Sequence, residues 1–160
     1  MRRAPTALGV LAAIALAVML LWLRGMRQKD SWVVVLQRRV NRAVINPQQR
    51  RSAGKPGASA SMLRHTGRRS GRPYATPVGA VPTGEGFVIA LVYGSGVDWA
   101  RNVLASGQAT IVHEGRTYRA DRPEVVPMSL VVECFTASDR RAHRRFAVTE
   151  AFRVRAVAED

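Results

Sequence analysis

The densest set of chemically useful side chains lies between His65 and Pro77, in the segment HTGRRSGRPYATP. Gly67 and Gly71 let the backbone turn sharply and present its N–H groups. Thr66 and Ser70 add hydroxyls, while Arg68, Arg69 and Arg72 add permanent positive charge. Such a loop suits a phosphate. Taken alone, it is better read as a solvated basic hairpin. Other chemistries find less support. Gly94-Ser95-Gly96 is a Gly-flanked serine, but no G-x-S-x-G elbow occurs. Neither the P-loop nor the dinucleotide-binding fingerprint is present, and no local spacing pairs two carboxylates. His65, His113 and His143 are far apart in sequence, and Cys134 is the single cysteine. That excludes an intramolecular disulfide framework and argues against a metal site.

The elements that must position this segment are short and strand-like. Residues 62–66 lead into the basic turn, and 74–81 read as a strand closed by Pro82-Thr83-Gly84-Glu85-Gly86. The run FVIALVY at 87–93 suits a strand buried on both faces. After the Gly94–Gly96 break, Asp98 is placed to cap a short helix through Leu104, stopped by Gly107. Residues 109–113 and 117–120 flank a second hairpin turn at Glu114-Gly115-Arg116, 128–146 read as helix in two pieces, and 151–157 alternate as a final strand. Five or six hairpin-linked strands with short helices argue for an α+β chain built on a small β-barrel.

Charge divides the 160 residues unevenly. The net charge is +14, with eleven Lys and Arg against one acid, Asp30, in residues 1–60, and fourteen Arg against ten acids in 61–160. Basic character invites a nucleic-acid partner, but no RNA-binding motif or aromatic interleaving accompanies it, so none is expected. Residues 4–23 run for twenty positions without a charge. At about 1.5 Å per residue that helix spans roughly 30 Å, the thickness of the hydrocarbon layer. A cleaved signal peptide is the rival reading, but Arg24-Gly25-Met26-Arg27 follows instead of a small-residue cleavage site. Arg24, Arg27, Lys29, Arg38, Arg39 and Arg42 then place the body on the cytoplasmic side of a single-pass anchor. Ser31 is positioned to cap a helix over 32–45, ended by Asn46-Pro47, whose stripe of Trp32, Leu36, Val40 and Val44 either meets lipid or packs on the domain. Residues 48–60, QQRRSAGKPGASA, have the composition of a linker or mobile loop. The expected organisation is an anchor at 1–24, a basic amphipathic helix and linker at 25–60, and a barrel domain at 61–160.

The loop does not stand alone. Thr66-Gly67-Arg68-Arg69-Ser70-Gly71 with Thr76-Pro77, followed by Trp99-x-x-Asn102-Val103 and a Gly-turn hairpin, resembles the deazaflavin-dependent nitroreductase and quinone reductase family. These are split β-barrel, flavin-reductase-like oxidoreductases that use coenzyme F420. The resemblance covers about residues 60–126. It implies that Arg68, Arg69, Ser70 and Gly71 hold the coenzyme phosphate, with the basic mouth attracting its polyglutamate tail. Thr76 and Pro77 would line the deazaflavin ring, Tyr93 and Gly94 would contact it from the other side, and Trp99 and Asn102 would close the pocket. Without the family, Trp99 reads equally as a core aromatic. The cofactor supplies the hydride chemistry, so no catalytic dyad is needed. Tyr74 or Tyr93 would donate the following proton, as would water.

Three positions depart from the family pattern. Tyr74 stands where a basic residue is frequent, Val97-Asp98 replaces His-Pro before the tryptophan, and the loop from Gly94 to Trp99 is short. An FMN-dependent reductase on the same barrel therefore stays an alternative. So does a non-enzymatic membrane adaptor whose basic loop binds anionic lipid. The anchor suggests a hydrophobic acceptor that lives in the bilayer, such as a quinone, and the sequence leaves a homodimer open.

Overall fold

Residues 7–29, 32–40 and 49–159 are described in the computed structural model of the chain. Seven antiparallel strands form one sheet: β1 (Ser61–Thr66), β2 (Pro73–Val78), β3 (Ala80–Pro82), β4 (Gly86–Ala90), β5 (Gln108–His113), β6 (Arg116–Pro127) and β7 (Glu150–Ala158). Their order is β2-β1-β5-β6-β7-β4-β3. The two outermost strands are thus consecutive in the chain, separated by Gly79 alone. The expected single strand over 74–81 is two strands, because its first part pairs with β1 and its second with β4. This corner curls the sheet into a half-barrel whose edges are covalently joined. A bulge between Asp121 and Glu124 bends the long β6 in the same sense.

Two apolar clusters lie on opposite sides of the curled sheet. Inside are Leu63, Phe87, Ile89, Ile111, Phe152 and Val154, closed by Ala100 and Val103. Val88, Val126, Met128, Val131, Phe135, Val148 and Ala151 form the second cluster. Phe87, Val88 and Ile89 are all buried, as a strand covered on both faces requires. Each such fully buried side chain contributes about 1.5–3 kcal/mol. The strand stops at Ala90 rather than Tyr93, because Gly94 N–H donates to Leu91 O at 2.8 Å and closes a tight turn.

Local chemistry decides the remaining elements. The β5–β6 turn has positive φ at both Glu114 (49°) and Gly115 (77°), the geometry that matches strand twist in a two-residue hairpin. Met128–Leu130 and Val132–Cys134 are 3-10 turns, so the expected two-piece helix over 128–146 is two such turns followed by one α-helix, Ala137–Arg145. The helix Asp98–Ser106 begins one residue earlier than capping by Asp98 requires. Val97 is its N-cap, with no side-chain cap bond, and Gly107 ends it at φ 71°. Residues 49–60 do not run as a free linker. Gly54 N–H donates to Ala60 O, Gly115 N–H to Gly54 O, and Gly57 N–H to Glu114 Oε2, which folds the segment onto the β5–β6 hairpin.

Numbered in chain order, α1 is Ala7–Arg27, α2 is Trp32–Val40, α3 is Asp98–Ser106 and α4 is Ala137–Arg145. The cap at Ser31 and the continuation of α2 through Val44 to Ile45 and Asn46-Pro47 lie outside the described residues. Between α1 and α2 the chain makes an elbow, with Gly25 against Val33. Met26, Val33 and Val34 are buried there with Val92, Tyr93 and Phe146. Trp32, Leu36 and Val40 are exposed, so of the two readings of that stripe packing on the domain does not hold, and the neighbours Val33 and Val34 are the packing residues.

Candidate functional site

The β1–β2 hairpin carries the basic loop, and its shape follows from its sequence. Gly67 N–H donates to Arg72 O at 2.9 Å and Gly71 N–H to Gly67 O at 2.8 Å. Gly71 takes φ 63°, a conformation a side chain disfavours. Gly67 is required for a different reason. A Cβ there would meet Ser70 Oγ and the Tyr74 ring at 2.6 Å.

Beneath the loop lies a buried polar network that joins β1, β2 and α3. Asn102 Oδ1 accepts from the Arg68 backbone N–H at 3.2 Å and from Arg68 Nη1 at 2.9 Å. With its oxygen so occupied, the Asn102 amide donates through Nδ2 to His65 Nδ1 at 3.2 Å. His65 must then carry its proton on Nε2, which lies 3.1 Å from Thr76 Oγ1. The ring is neutral in this arrangement. Burial pushes the His65 pKa below its ordinary value, against a smaller opposing pull from Asp98. Tyr74 stacks over His65 with centroids 5.7 Å apart, and its hydroxyl reaches Ser70 Oγ at 3.3 Å. Asp98 sits 3.4 Å from Arg68 Nη1.

The network divides the residues expected from the sequence. Arg68, Ser70, Gly71, Thr76, Asn102 and Tyr74 come together, with Pro77 next along β2. Arg68 is held by Asn102 and Asp98, so its guanidinium braces the loop. Arg69 and Arg72 are exposed, and neither has a side-chain partner among the described residues. The backbone N–H groups of Arg69 and Ser70 are likewise unbonded within the described chain. Trp99 stands apart from the network, half-buried edge-on to Phe152 at 5.0 Å. Tyr93 and Gly94 lie in the turn after β4. Tyr93 packs between the barrel core and the elbow, and Gly94 (φ 76°) approaches the Lys29 side chain.

Sequence reasoning missed three participants. His65 opened the quoted segment, but nothing local showed that an asparagine 37 residues away would fix its tautomer. Asp98 pairs with Arg68 instead of capping its own helix. In the sequence Lys29 shows only as a charge, yet its Nζ donates to Val92 O at 2.9 Å and Phe146 O at 2.7 Å, with Met26 O at 3.4 Å. Burial, and to a lesser degree Arg27, lowers its pKa. Among the described residues no His, Cys, Asp or Glu cluster could hold a metal ion.

A model of the F420H(2)-dependent quinone reductase family matches residues 30–126. The match takes in α2, ahead of the loop that carries the sequence resemblance. No curated protein sequence matches the chain significantly. Similar solved structures include one described as an F420-H2 dependent reductase (FDR-A), 15% identical, with a TM-score of 0.46 over 60% of this chain and 93% of that one. Another, described as an F420 reductase, is 16% identical, with a TM-score of 0.45 over 66% and 90%. A third is a protein of unknown function from Agrobacterium tumefaciens, 13% identical, with a TM-score of 0.43 over 63% and 51%.

Proposed function

The chain belongs to the F420H(2)-dependent quinone reductase family, and from that premise we propose that it passes a hydride from reduced coenzyme F420 to a membrane quinone. Membership makes it an oxidoreductase that depends on the deazaflavin F420, which favours that coenzyme over FMN and an enzyme over an adaptor.

The β1–β2 hairpin carries the site assignment, and its donors fit the coenzyme. Two exposed arginines, Arg69 and Arg72, the Ser70 hydroxyl and the unbonded N–H groups of Arg69 and Ser70 gather at one turn. That set matches a phosphate, which takes several donors and rewards charge-assisted ones. When bound, reduced F420 supplies a hydride from its ring. The chain's residues supply position. Arg68, braced by Asn102, sets the height of the loop. On this reading Thr76 and Pro77 on β2 would line the deazaflavin ring, Tyr93 and Gly94 would contact it from the other side, and Trp99 would close the pocket. Tyr74 and Tyr93 are the hydroxyls available to hold a proton for the acceptor.

The acceptor reading rests on α1 and the family. Leu8–Arg27 is long and apolar enough to cross a membrane, with a mean hydropathy of 2.1, and apart from its end at Gly25 and Met26 it is almost wholly unburied. Arg24, Arg27 and Lys29 at its end favour the cytoplasmic side for the barrel. An anchored enzyme meets its quinone in two dimensions.

The test uses full-length protein in lipid nanodiscs. Coenzyme F420 is titrated against tryptophan fluorescence, and oxidation of the reduced coenzyme is followed with a menaquinone analogue. Saturable binding and quinone-dependent oxidation are expected, with protein that resists carbonate extraction. Oxidation by no quinone would overturn the acceptor, and release by carbonate would overturn the anchor.

A further inference from the structure

Helix α4 ends against the end of α1, although about 120 residues separate them in sequence. Phe146, the residue after α4, meets Trp22 edge-on with centroids 5.9 Å apart. Arg27 Nη1 donates to Arg145 O at 3.0 Å. Lys29 donates to Phe146 O at 2.7 Å and also to Val92 O, so the same ammonium ties α1, α4 and the barrel together. These contacts run from Trp22, one residue inside the uncharged run, to Lys29, six residues beyond its end at Leu23. Arg27 lies about 6 Å past Leu23 at 1.5 Å per residue. The polar headgroup layer on each side of a bilayer is roughly 5–8 Å thick. The C-terminal end of α4 is therefore held at headgroup height whenever α1 spans the membrane.

The side chains placed there are of one kind. Arg141, Arg144 and Arg145 recur at the i, i+3, i+4 spacing of a single helix face, and all three are exposed. None of their guanidinium groups has an ion pair or hydrogen bond among the described residues. The other charges near α4 are already engaged. Arg140 pairs with Glu133, and Asp139 accepts from the Thr136 hydroxyl, while the His143 ring is half-buried edge-on to Phe135 and burial lowers its pKa. A basic last turn suits the helix dipole, but that does not account for Arg141, a full turn earlier. The helix also lies beyond residue 126, outside the stretch matched by the family.

We propose that the Arg141, Arg144 and Arg145 face of α4 binds the phosphates of anionic phospholipid headgroups, forming with Arg24 and Arg27 a cationic collar around the anchor. The proposal rests on the anchored reading above. The collar is assembled by folding, so a count of basic residues flanking α1 in the sequence misses three of its five arginines. It fixes the barrel against the bilayer on the side where the elbow packs over Tyr93.

The experiment places full-length protein in nanodiscs of equal phosphatidylcholine and phosphatidylglycerol. Lipids that remain bound after gentle extraction are counted by mass spectrometry. The combined Arg141→Gln, Arg144→Gln, Arg145→Gln variant is compared with an equally discharged control, Arg64→Gln, Arg116→Gln, Arg119→Gln. Each basic residue at an anionic surface changes the partition by about fivefold, taking ~1 kcal/mol per residue and 1.4 kcal/mol per decade. The phosphatidylglycerol preference is expected to fall at least fivefold in the α4 variant and less than twofold in the control, with F420 affinity unchanged in both. An unchanged preference in carbonate-resistant protein would overturn the collar and leave the anchor standing. Equal losses in both variants would reduce the effect to net charge and overturn it too. A rise in the F420 dissociation constant matching that of Arg69→Ala would assign the three arginines to the coenzyme's glutamate tail instead. Carbonate-extractable wild type would remove the anchored reading itself.

Discussion

The β1–β2 hairpin and helix α4 are both arginine-rich, yet they are supported in opposite ways. In the hairpin, Arg68 is gripped by Asn102 and Asp98, and the loop rests on a neutral His65 stacked under Tyr74. In α4, Arg141, Arg144 and Arg145 project from a helix with nothing bonded to their heads among the described residues. The first arrangement fixes Arg68 and the loop backbone from which Arg69 and Arg72 are offered, as the proposed recognition of one phosphate needs. The second offers only sign and density, which is enough for a surface of interchangeable headgroups. The supporting residues, not the arginine count, separate the two.

That contrast breaks most readily at Asn102. Asn102→Ala removes three hydrogen bonds and strands the Arg68 N–H and His65 Nδ1, each at about 1–3 kcal/mol. Urea unfolding should show a loss of about 2–4 kcal/mol, accompanied by weaker F420 binding, whereas Arg144→Ala should stay within about 0.5 kcal/mol. A harmless Asn102→Ala would mean that the hairpin is no better supported than α4.

Next in size is the charge itself. A charge-assisted bond to phosphate contributes about 1.5–3 kcal/mol, so Arg69→Ala should raise the F420 dissociation constant about ten- to a hundredfold at 1.4 kcal/mol per decade. Arg144→Ala should change it less than twofold. Lysine sharpens the comparison, because it keeps charge but loses the planar fork. Arg68→Lys is expected to weaken coenzyme binding severalfold, while Arg144→Lys leaves lipid preference intact. Tolerance of lysine at both positions would erase the distinction between set geometry and summed charge.

The smallest effect is a pH dependence confined to the hairpin's foundation. Burial lowers the folded pKa of His65 below its unfolded value. Between those two values the unfolded chain binds more protons, so stability rises with pH through that window. The contribution is complete above about pH 6.5, the unperturbed histidine value, and is lost as pH falls. Protonation would also put an N–H of His65 against the Asn102 amide. The melting temperature should therefore drop between pH 7 and pH 5, with a shallower slope in His65→Gln. Part of the slope should survive, because burial lowers His143 in the same direction. Identical slopes for wild type and His65→Gln would remove His65 from the foundation.

Much of the fold was legible because its signals are local. The positive-φ turn at Glu114-Gly115, the Gly107 stop and the doubly buried strand around Val88 each follow from a few adjacent residues. Errors fell where a distant partner intervened. Residues 74–81 looked like one strand because both halves favour extended backbone, and only pairing with β1 on one side and β4 on the other splits them at Gly79. Asp98 looked like a cap because Asp at a helix start usually is one, but Arg68 lies within reach. Residues 48–60 read as linker from composition, whereas the described part bonds to the β5–β6 hairpin.

The same division holds for function. The types and spacing of Thr66 to Gly71, Thr76-Pro77 and Trp99 to Asn102 carried the resemblance that the family model bears out, since a glycine-rich turn with its donors is a contiguous, local signal. The uncharged run through Leu23 likewise marked a helix long and apolar enough to cross a membrane, found as α1 over Ala7–Arg27. Tertiary structure alone decided which arginine braces and which is offered, since that depends on Asn102 arriving from another element 34 residues away. It alone brought Lys29 to the carbonyls of Val92 and Phe146, and so set α4 beside the end of α1. Hydrogen bonds and charge pairs act over a few ångströms of space regardless of separation along the chain, and that proximity exists only once the sheet has curled.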